Sequence, residues 1–276
     1  MGNEPIVVLG ATGTTGRRVT ARLRAAGHVV QTACRRGDVR FDWADRATWE
    51  PALIGARALY LMAPEEQPIE PDFVACAVAA GVGHIVLLSS AAIEVMGDER
   101  LMAAEATVRA SGADWTIVRA NWFNQNFDEG FLHPAVLAGA VTLPLGQSRH
   151  PFVDADDIAA VAARGAHRAR ARGTHPRGHR ARELTFAEAV ATVARASGRS
   201  IAYRGEPDDH LAAAAEAGID PEVARTQLAA FDALCRHPEA SAATGTVRAV
   251  TGRDPIPFAT YAGRAAATGA WDDVNT

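Results

Sequence analysis

The chain contains no lysine. All 28 of its basic residues are arginine, a bias that accompanies abundant alanine and removes any proton relay built on a lysine amine. Cysteine is nearly as scarce. Cys34, Cys76 and Cys235 are odd in number and lack the spacing of a metal site, which predicts free thiols in a reducing, cytoplasmic setting. No uninterrupted apolar run approaches the length of a membrane span and no signal-peptide pattern precedes the first apolar segment, so no membrane partner is expected. A formal net charge of −4 gives no reason to expect nucleic acid as a partner either. Within 276 residues there is room for one large α/β domain, or for a nucleotide-binding domain with a smaller appendage.

Chemistry is concentrated in Gly10-Ala11-Thr12-Gly13-Thr14-Thr15-Gly16. It follows the β-branched run Ile6-Val7-Val8-Leu9 and precedes a segment with Val19 and Leu23 four apart and Gly27 as a stop, so it reads as strand, turn, helix. In that context Gly10 allows the sharp exit from the strand, and Gly13 removes a side chain where backbone must approach a pyrophosphate. Gly16 lets helix and strand pack closely. The amides of the helix start, from Thr12 to Gly16, then face an anion favoured by the helix dipole. A tight turn with no ligand is the bland alternative, and three glycines at three-residue spacing argue against it. A dinucleotide is the expected ligand.

The second strand candidate, His28 to Ala33, ends in Cys34-Arg35-Arg36-Gly37. At this place an acid suits the ribose 2′-hydroxyl of NAD, whereas arginine suits the 2′-phosphate of NADP. Arg35 and Arg36 therefore point to NADP(H), unless both are merely solvated. Val39 to Asp42 reads as a short third strand whose Asp42 borders the adenine or caps a turn. Asp45 to Ile54 reads as a crossover helix, Ala58 to Met62 as the fourth strand, Pro71 to Ala80 as a helix, and His84 to Ser90 as the fifth strand. Glu99 to Ala110 reads as another helix and Trp115 to Arg119 as the sixth strand. This alternation predicts an α/β fold with a doubly wound parallel sheet of the Rossmann type, in residues 1–150, whose ligands sit at the C-terminal ends of the strands. Met62, Ala63 and Ser89 should then surround the cofactor.

Beyond residue 120 the pattern loosens. Asn121 to Phe127 mixes aromatic rings with amides, which fits either a capped helix start or a substrate wall containing Trp122, Phe123 and Asn126. Asp154 and Asp157, three apart, read as a helix cap pair ahead of any catalytic role. Arg164 to Arg182 carries seven arginines with His167, His175 and His179. No third ligand stands near the last two, so a solvated end is preferred over a metal site, and no metal is expected. Residues 151–276 should form a small, mostly helical part, with helices near 185–198, 207–217, 221–236 and 257–268, a short strand at 200–203, and an unassignable stretch at 239–253.

The glycine motif, the arginines after strand two, Ser111-Gly-Ala-Asp-Trp-Thr-Ile-Val-Arg119 and Pro151-Phe-Val-Asp-Ala-Asp-Asp-Ile-Ala159 together resemble the NmrA-like branch of the atypical short-chain dehydrogenase/reductase family. Arg119-Ala-Asn-Trp-Phe-Asn-Gln-Asn126 is similar to the loop of its type 2 quinone oxidoreductases and ergot-alkaloid-type iminium reductases. The resemblance implies a Rossmann domain with a small C-terminal substrate domain, and NADP(H) as cofactor. NmrA-like proteins include reductases and non-catalytic nucleotide-sensing regulators that bind a protein partner, so both classes stay open here.

Standard short-chain dehydrogenases use a tyrosine acid and a lysine four residues later. By spacing from Ser111-Gly112 these positions fall near Gly97 and Leu101, and the dyad is absent. No catalytic side chain is identified in its place, Tyr60 on the fourth strand included. A ketone would leave an alkoxide in need of a proton. An iminium ion accepts hydride to give a neutral amine, and a quinone gives a phenolate that water protonates. The expectation is an NADPH-dependent reductase of an electron-poor small organic substrate, imine or iminium ahead of quinone.

Overall fold

The computed structural model describes residues 4–64, 67–167 and 183–272. β1 (Ile6–Leu9) is buried along its whole length, as a β-branched run covered on both faces should be. α1 (Thr14–Ala25) follows with Val19 and Leu23 on its buried side, and Gly27, at φ +80°, makes the left-handed turn that ends it. The alternation continues through β2 (Val30–Cys34), β3 (Val39–Arg40), α2 (Trp49–Leu53), β4 (Ala58–Met62), α3 (Pro71–Ala79) and β5 (His84–Ser90). It closes with α4 (Ile93–Met96), α5 (Glu99–Ala110) and β6 (Asp114–Ala120). These six strands form one parallel sheet in the order β3-β2-β1-β4-β5-β6. Strand order reverses between β1 and β4, and a ligand crevice belongs at their C-terminal ends.

Next come β7 (Trp122–Phe123), α6 (His133–Leu137), β8 (Ala140–Thr142), β9 (Arg149–Val153) and α7 (Ala155–His167). After the second undescribed stretch follow β10 (Glu183–Thr185), α8 (Phe186–Ser197), β11 (Ala202–Arg204), α9 (Pro207–Glu216), α10 (Pro221–Arg236), α11 (Thr246–Thr251) and α12 (Phe258–Ala267). β9 pairs with β10 antiparallel and with β7 in parallel, Trp122 opposite Phe152, while β8 and β11 form a separate parallel pair.

Strand periodicity separates two cores. Val7 and Leu9 pack with Leu53 of α2, Phe73 of α3 and Val108 of α5. Ile6 and Val8 point the other way, onto Val19 and Leu23 of α1 and Ala159 and Ala162 of α7. After residue 150 the chain thus returns to the nucleotide-binding sheet before building the C-terminal part. A third core is largely aromatic and holds that part together through Phe127, Phe152, Phe186, Phe258 and Trp271. Rings in edge-on contact, such as Phe152 and Phe258 at 5.1 Å, add about 0.5–1.5 kcal/mol per pair beyond their buried area.

Three local expectations are corrected. The crossover before β4 is a 3₁₀ turn, Arg46–Thr48, followed by the five-residue α2, because Pro51 has no N–H and fits only the first helical turn. β3 stops at Arg40, where Phe41 turns inward against Trp43 and Phe73. Asp154 caps α7 as expected, its carboxylate accepting the Asp156 amide at 2.8 Å, but Asp157 does not complete the cap pair. Fully buried, Asp157 instead accepts the Ile256 amide at 2.7 Å and meets Arg253, which ties the last segment to α7. Capping boxes form instead at α8, Thr185 with Glu188, and at α9, Glu206 with Asp209. Residues 168–182, with His175 and His179, lie outside the described residues.

Candidate active site

The glycine turn has the form of an anion cradle. Gly10 has φ +60°, which strongly favours glycine there, and a Cβ on it would stand 3.2 Å from the Met62 sulfur. A Cβ on Gly16 would overlap the Gly10 carbonyl, so strand and helix can approach this closely only without a side chain. Gly13 is the N-cap of α1, with no capping side chain and no acid in the first turn, and Thr12 and Gly13 are exposed. The helix-start amides are therefore open to a phosphate. Thr15 is buried and its hydroxyl accepts from Tyr60 at 2.9 Å, bracing the cradle from behind.

Arg35 and Arg36 are exposed at the end of β2, and no described residue forms a hydrogen bond or ion pair with either. The nearest acid, Asp38, is occupied: it accepts the Thr32 amide at 2.9 Å and pairs with Arg24. These hydrogen bonds from Thr32 hold its carboxyl below the usual range. Asp42 accepts from the Ala44 amide at 3.1 Å and serves as a turn residue.

At the C-terminal ends of β4, β5 and β6 lies a cleft of about 610 Å³. Met62, Ala63 and Ser89 line it on the sheet side, but the Ser89 hydroxyl donates to Glu105 at 2.7 Å and turns from the opening. The mixture after β6 divides between two surroundings. Asn121, Trp122, Phe123 and Asn126 line the cleft, while Asn124, Gln125 and Phe127 are buried below it. The Gln125 side-chain Oε1 accepts from the Ala155 amide at 2.8 Å, and the Trp271 indole donates to the Phe127 backbone carbonyl at 2.8 Å. Glu129 anchors the same segment to α1 through Arg17 and Arg18. Burial opposes its charge, yet the Arg18 and Arg17 hydrogen bonds hold its carboxyl down at about 2. Asp128, pushed up to about 6 by burial, accepts from Tyr261 at 2.8 Å.

Sequence reasoning missed several cleft residues: Met96, Asp98, Arg100, Phe131, Leu234 and Ser241. It also missed Ala92, at φ +57° the only non-glycine in the left-handed region among the described residues. Glu105, read as an ordinary helix residue, is 1% exposed and bound by Arg119, Arg109 and Ser89. Burial alone would raise its pKa, but the Arg119 and Ser89 hydrogen bonds outweigh that and lower it.

None of the chain's three tyrosines lines the cleft. Tyr60 donates to Thr15, Tyr203 to the Leu143 carbonyl and Tyr261 to Asp128. Burial pushes the Tyr60 phenol up to about 12. Asp98 and Arg100 are the only titratable side chains on the cleft wall among the described residues. No group of three or more candidate ligands that could hold a metal occurs among them.

No family model matches the chain. A (4-alkanoyl-5-oxo-2,5-dihydrofuran-3-yl)methyl phosphate reductase of Streptomyces griseus is 34% identical over 279 residues, covering 92% of this chain and 95% of that protein. The chain belongs to the NmrA-like branch of the atypical short-chain dehydrogenase/reductase family. An uncharacterized oxidoreductase of Bacillus subtilis is 29% identical across 97% of both chains. An Escherichia coli NADPH-dependent quinone oxidoreductase, solved with NADPH, shares the fold at TM-score 0.70 and 21% identity, over 94% of this chain and 99% of that one. These likenesses agree with the expected branch and with the doubly wound sheet.

Proposed function

We propose that this NmrA-like chain is an NADPH-dependent reductase that delivers hydride to an electron-poor organic acceptor without a proton-donating side chain. The observation that carries this reading is that, among the described residues, no phenol, imidazole or amine lines the cleft. Supporting NADPH are the uncapped amides of the first turn of α1, beginning at Thr14, and the guanidiniums of Arg35 and Arg36, which have no partner among the described residues; these suit a pyrophosphate and a 2′-phosphate.

When bound, the reduced nicotinamide supplies a hydride. The chain's own work is to hold and exclude. The glycine loop fixes the pyrophosphate, Met62 and Ala63 border the nicotinamide, and Trp122, Phe123 and Asn126 orient the acceptor. The mostly apolar wall keeps water from the reacting atoms. An iminium acceptor then ends as a neutral amine, while a quinone or a carbonyl-conjugated alkene ends as an oxyanion that water protonates after the site opens. The substrate named for the Streptomyces relative has such an alkene, bearing both a ring carbonyl and an alkanoyl group. Unactivated ketones lack that electronic help and should be poor substrates.

The test is NADPH oxidation by the purified protein with menadione, a cyclic iminium ion and cyclohexanone. Turnover of at least one of the first two, and not of cyclohexanone, is expected. Tight NADPH binding with no turnover of any acceptor would instead leave a nucleotide sensor.

A further inference from the structure

The cleft wall is uneven in polarity. Trp122, Phe131 and Leu234 line it toward the C-terminal part, with Met96 of α4 beside them. Phe131 is 60% exposed, and its ring lies 6.5 Å from that of Trp122, which also stacks with Phe231 at 6.5 Å. An aromatic side chain left this open at the mouth of a cleft is available to cover an apolar ligand body. The other kind of surface lies at the start of α5. There Arg100 is the only cation on the wall among the described residues.

Arg100 is held in place but is not used up. Its Nη1 donates to the Pro64 carbonyl at 2.9 Å, which draws the side chain from α5 toward the end of β4. Its Nη2 stands 3.5 Å from the Asp98 carboxylate, too far for a strong hydrogen bond. Asp98 is meanwhile committed as the N-cap of α5, accepting the Leu101 amide at 3.0 Å. A guanidinium offers five N–H donors in a fixed fork, so donors remain for a ligand oxyanion. The partial withdrawal of both side chains from water, with 29% and 30% of their surfaces exposed, strengthens such a contact relative to an exposed one.

We infer that the acceptor is an amphiphilic acid, with its apolar body against Trp122 and Phe131 and an anionic oxygen group on Arg100. This rests on the reductase reading and narrows it. An acidic quinone or conjugated alkene finds free N–H donors on such a wall, while a cationic iminium ion would meet the guanidinium with Asp98, its own partner and the N-cap of α5, as the one carboxylate on the wall among the described residues. Arg100 thereby acts as a specificity residue.

The probe pair is 2-methyl-1,4-naphthoquinone and 1,4-naphthoquinone-2-sulfonate. Binding of each is measured with NADP⁺ present, so that no hydride is available, and turnover is measured separately with NADPH. The wild-type protein should bind the sulfonate at least about tenfold more tightly. Arg100→Gln should cut the sulfonate-to-neutral affinity ratio by about ten- to a hundredfold, the loss expected of a hydrogen bond to a charged group. Arg100→Lys should keep part of that ratio, because it retains the charge and loses the fork. Equal binding of the two probes by wild type, or equal losses on both in Arg100→Gln, would overturn the anion anchor. The binding arm decides this even if neither probe is reduced, a result that would count against the reductase reading alone.

Discussion

In the glycine turn after β1 the decisive features belong to the backbone, whereas on the cleft wall they belong to side chains gathered from distant elements. Gly10, Gly13 and Gly16 lie within seven residues: a side chain would be strained at Gly10, a Cβ on Gly16 would overlap the Gly10 carbonyl, and a Cβ on Gly13 would stand 3.3 Å from that same carbonyl. Met96, Arg100, Trp122, Phe131 and Leu234 meet only after α4, α5, β7 and α10 have packed. The first is a local device that tolerates almost no substitution. The second is an assembly that can change its ligand by exchanging single side chains, which is how one fold can serve different chemistries.

Substitution should break this comparison most sharply at Gly13. Gly13→Val puts a branched side chain at the open N-cap, 3.3 Å from the Gly10 carbonyl at its Cβ. NADPH titration should show more than about a hundredfold loss of affinity while circular dichroism stays native. Retained affinity would remove the phosphate-cradle assignment.

The next effect is on stability and arises behind the acceptor wall. His150 is fully buried between Trp122 and Phe186, neither ring nitrogen has a partner among the described residues, and burial pushes its pKa down to about 4. The unfolded chain therefore binds a proton that the folded chain refuses between about pH 6.5 and 4. Stability should be complete above this window and fall by about 3 kcal/mol as pH drops through it. Denaturant melts of His150→Leu against wild type should show a flatter acid limb in the variant. Identical limbs would mean that His150 finds a partner.

Somewhat smaller is the cost of removing the guanidiniums at the end of β2. Arg35→Ala with Arg36→Ala should weaken NADPH by about ten- to a hundredfold and leave NADH nearly unchanged, since hydrogen bonds to charged groups contribute about 1.5–3 kcal/mol. Equal weakening of both cofactors would give these arginines another role. The smallest effect should come from the cleft wall. Phe131→Ala should raise the acceptor KM by about five- to twentyfold with NADPH affinity unaffected, from the loss of part of one aromatic contact surface. A shift in NADPH affinity would show that the two regions are not independent.

The same contrast governs what could be read from the chain before folding. The tight glycine turn and the parallel sheet were legible because glycine spacing and apolar period are local signals. Arg100 gave no such signal: it stands one residue from the expected lysine position at Leu101, yet helix periodicity does not say which neighbour a side chain will face. Asn121 to Phe127 could be seen to be unusual but not divided, because the 3₁₀ turn over Asn124–Phe127 sends adjacent residues into different surroundings. Glu105 gave no signal beyond its place in the helix from Glu99 to Ala110. It is the buried centre of a network spanning β5, α5 and β6, and removing such a partner typically costs about 3–5 kcal/mol.

The central claim is that no side chain supplies a proton during hydride transfer, and single-turnover kinetics test it most directly. With NADPH and a naphthoquinone both saturating, the rate of the chemical step should change by less than about threefold between pH 6 and 8. Tyr60→Phe should slow it by less than about tenfold, far below the ~10²–10⁴-fold typical of a lost general acid. A rate that titrates with a single group across that range, or a Tyr60→Phe loss of a thousandfold with the fold intact, would contradict the account.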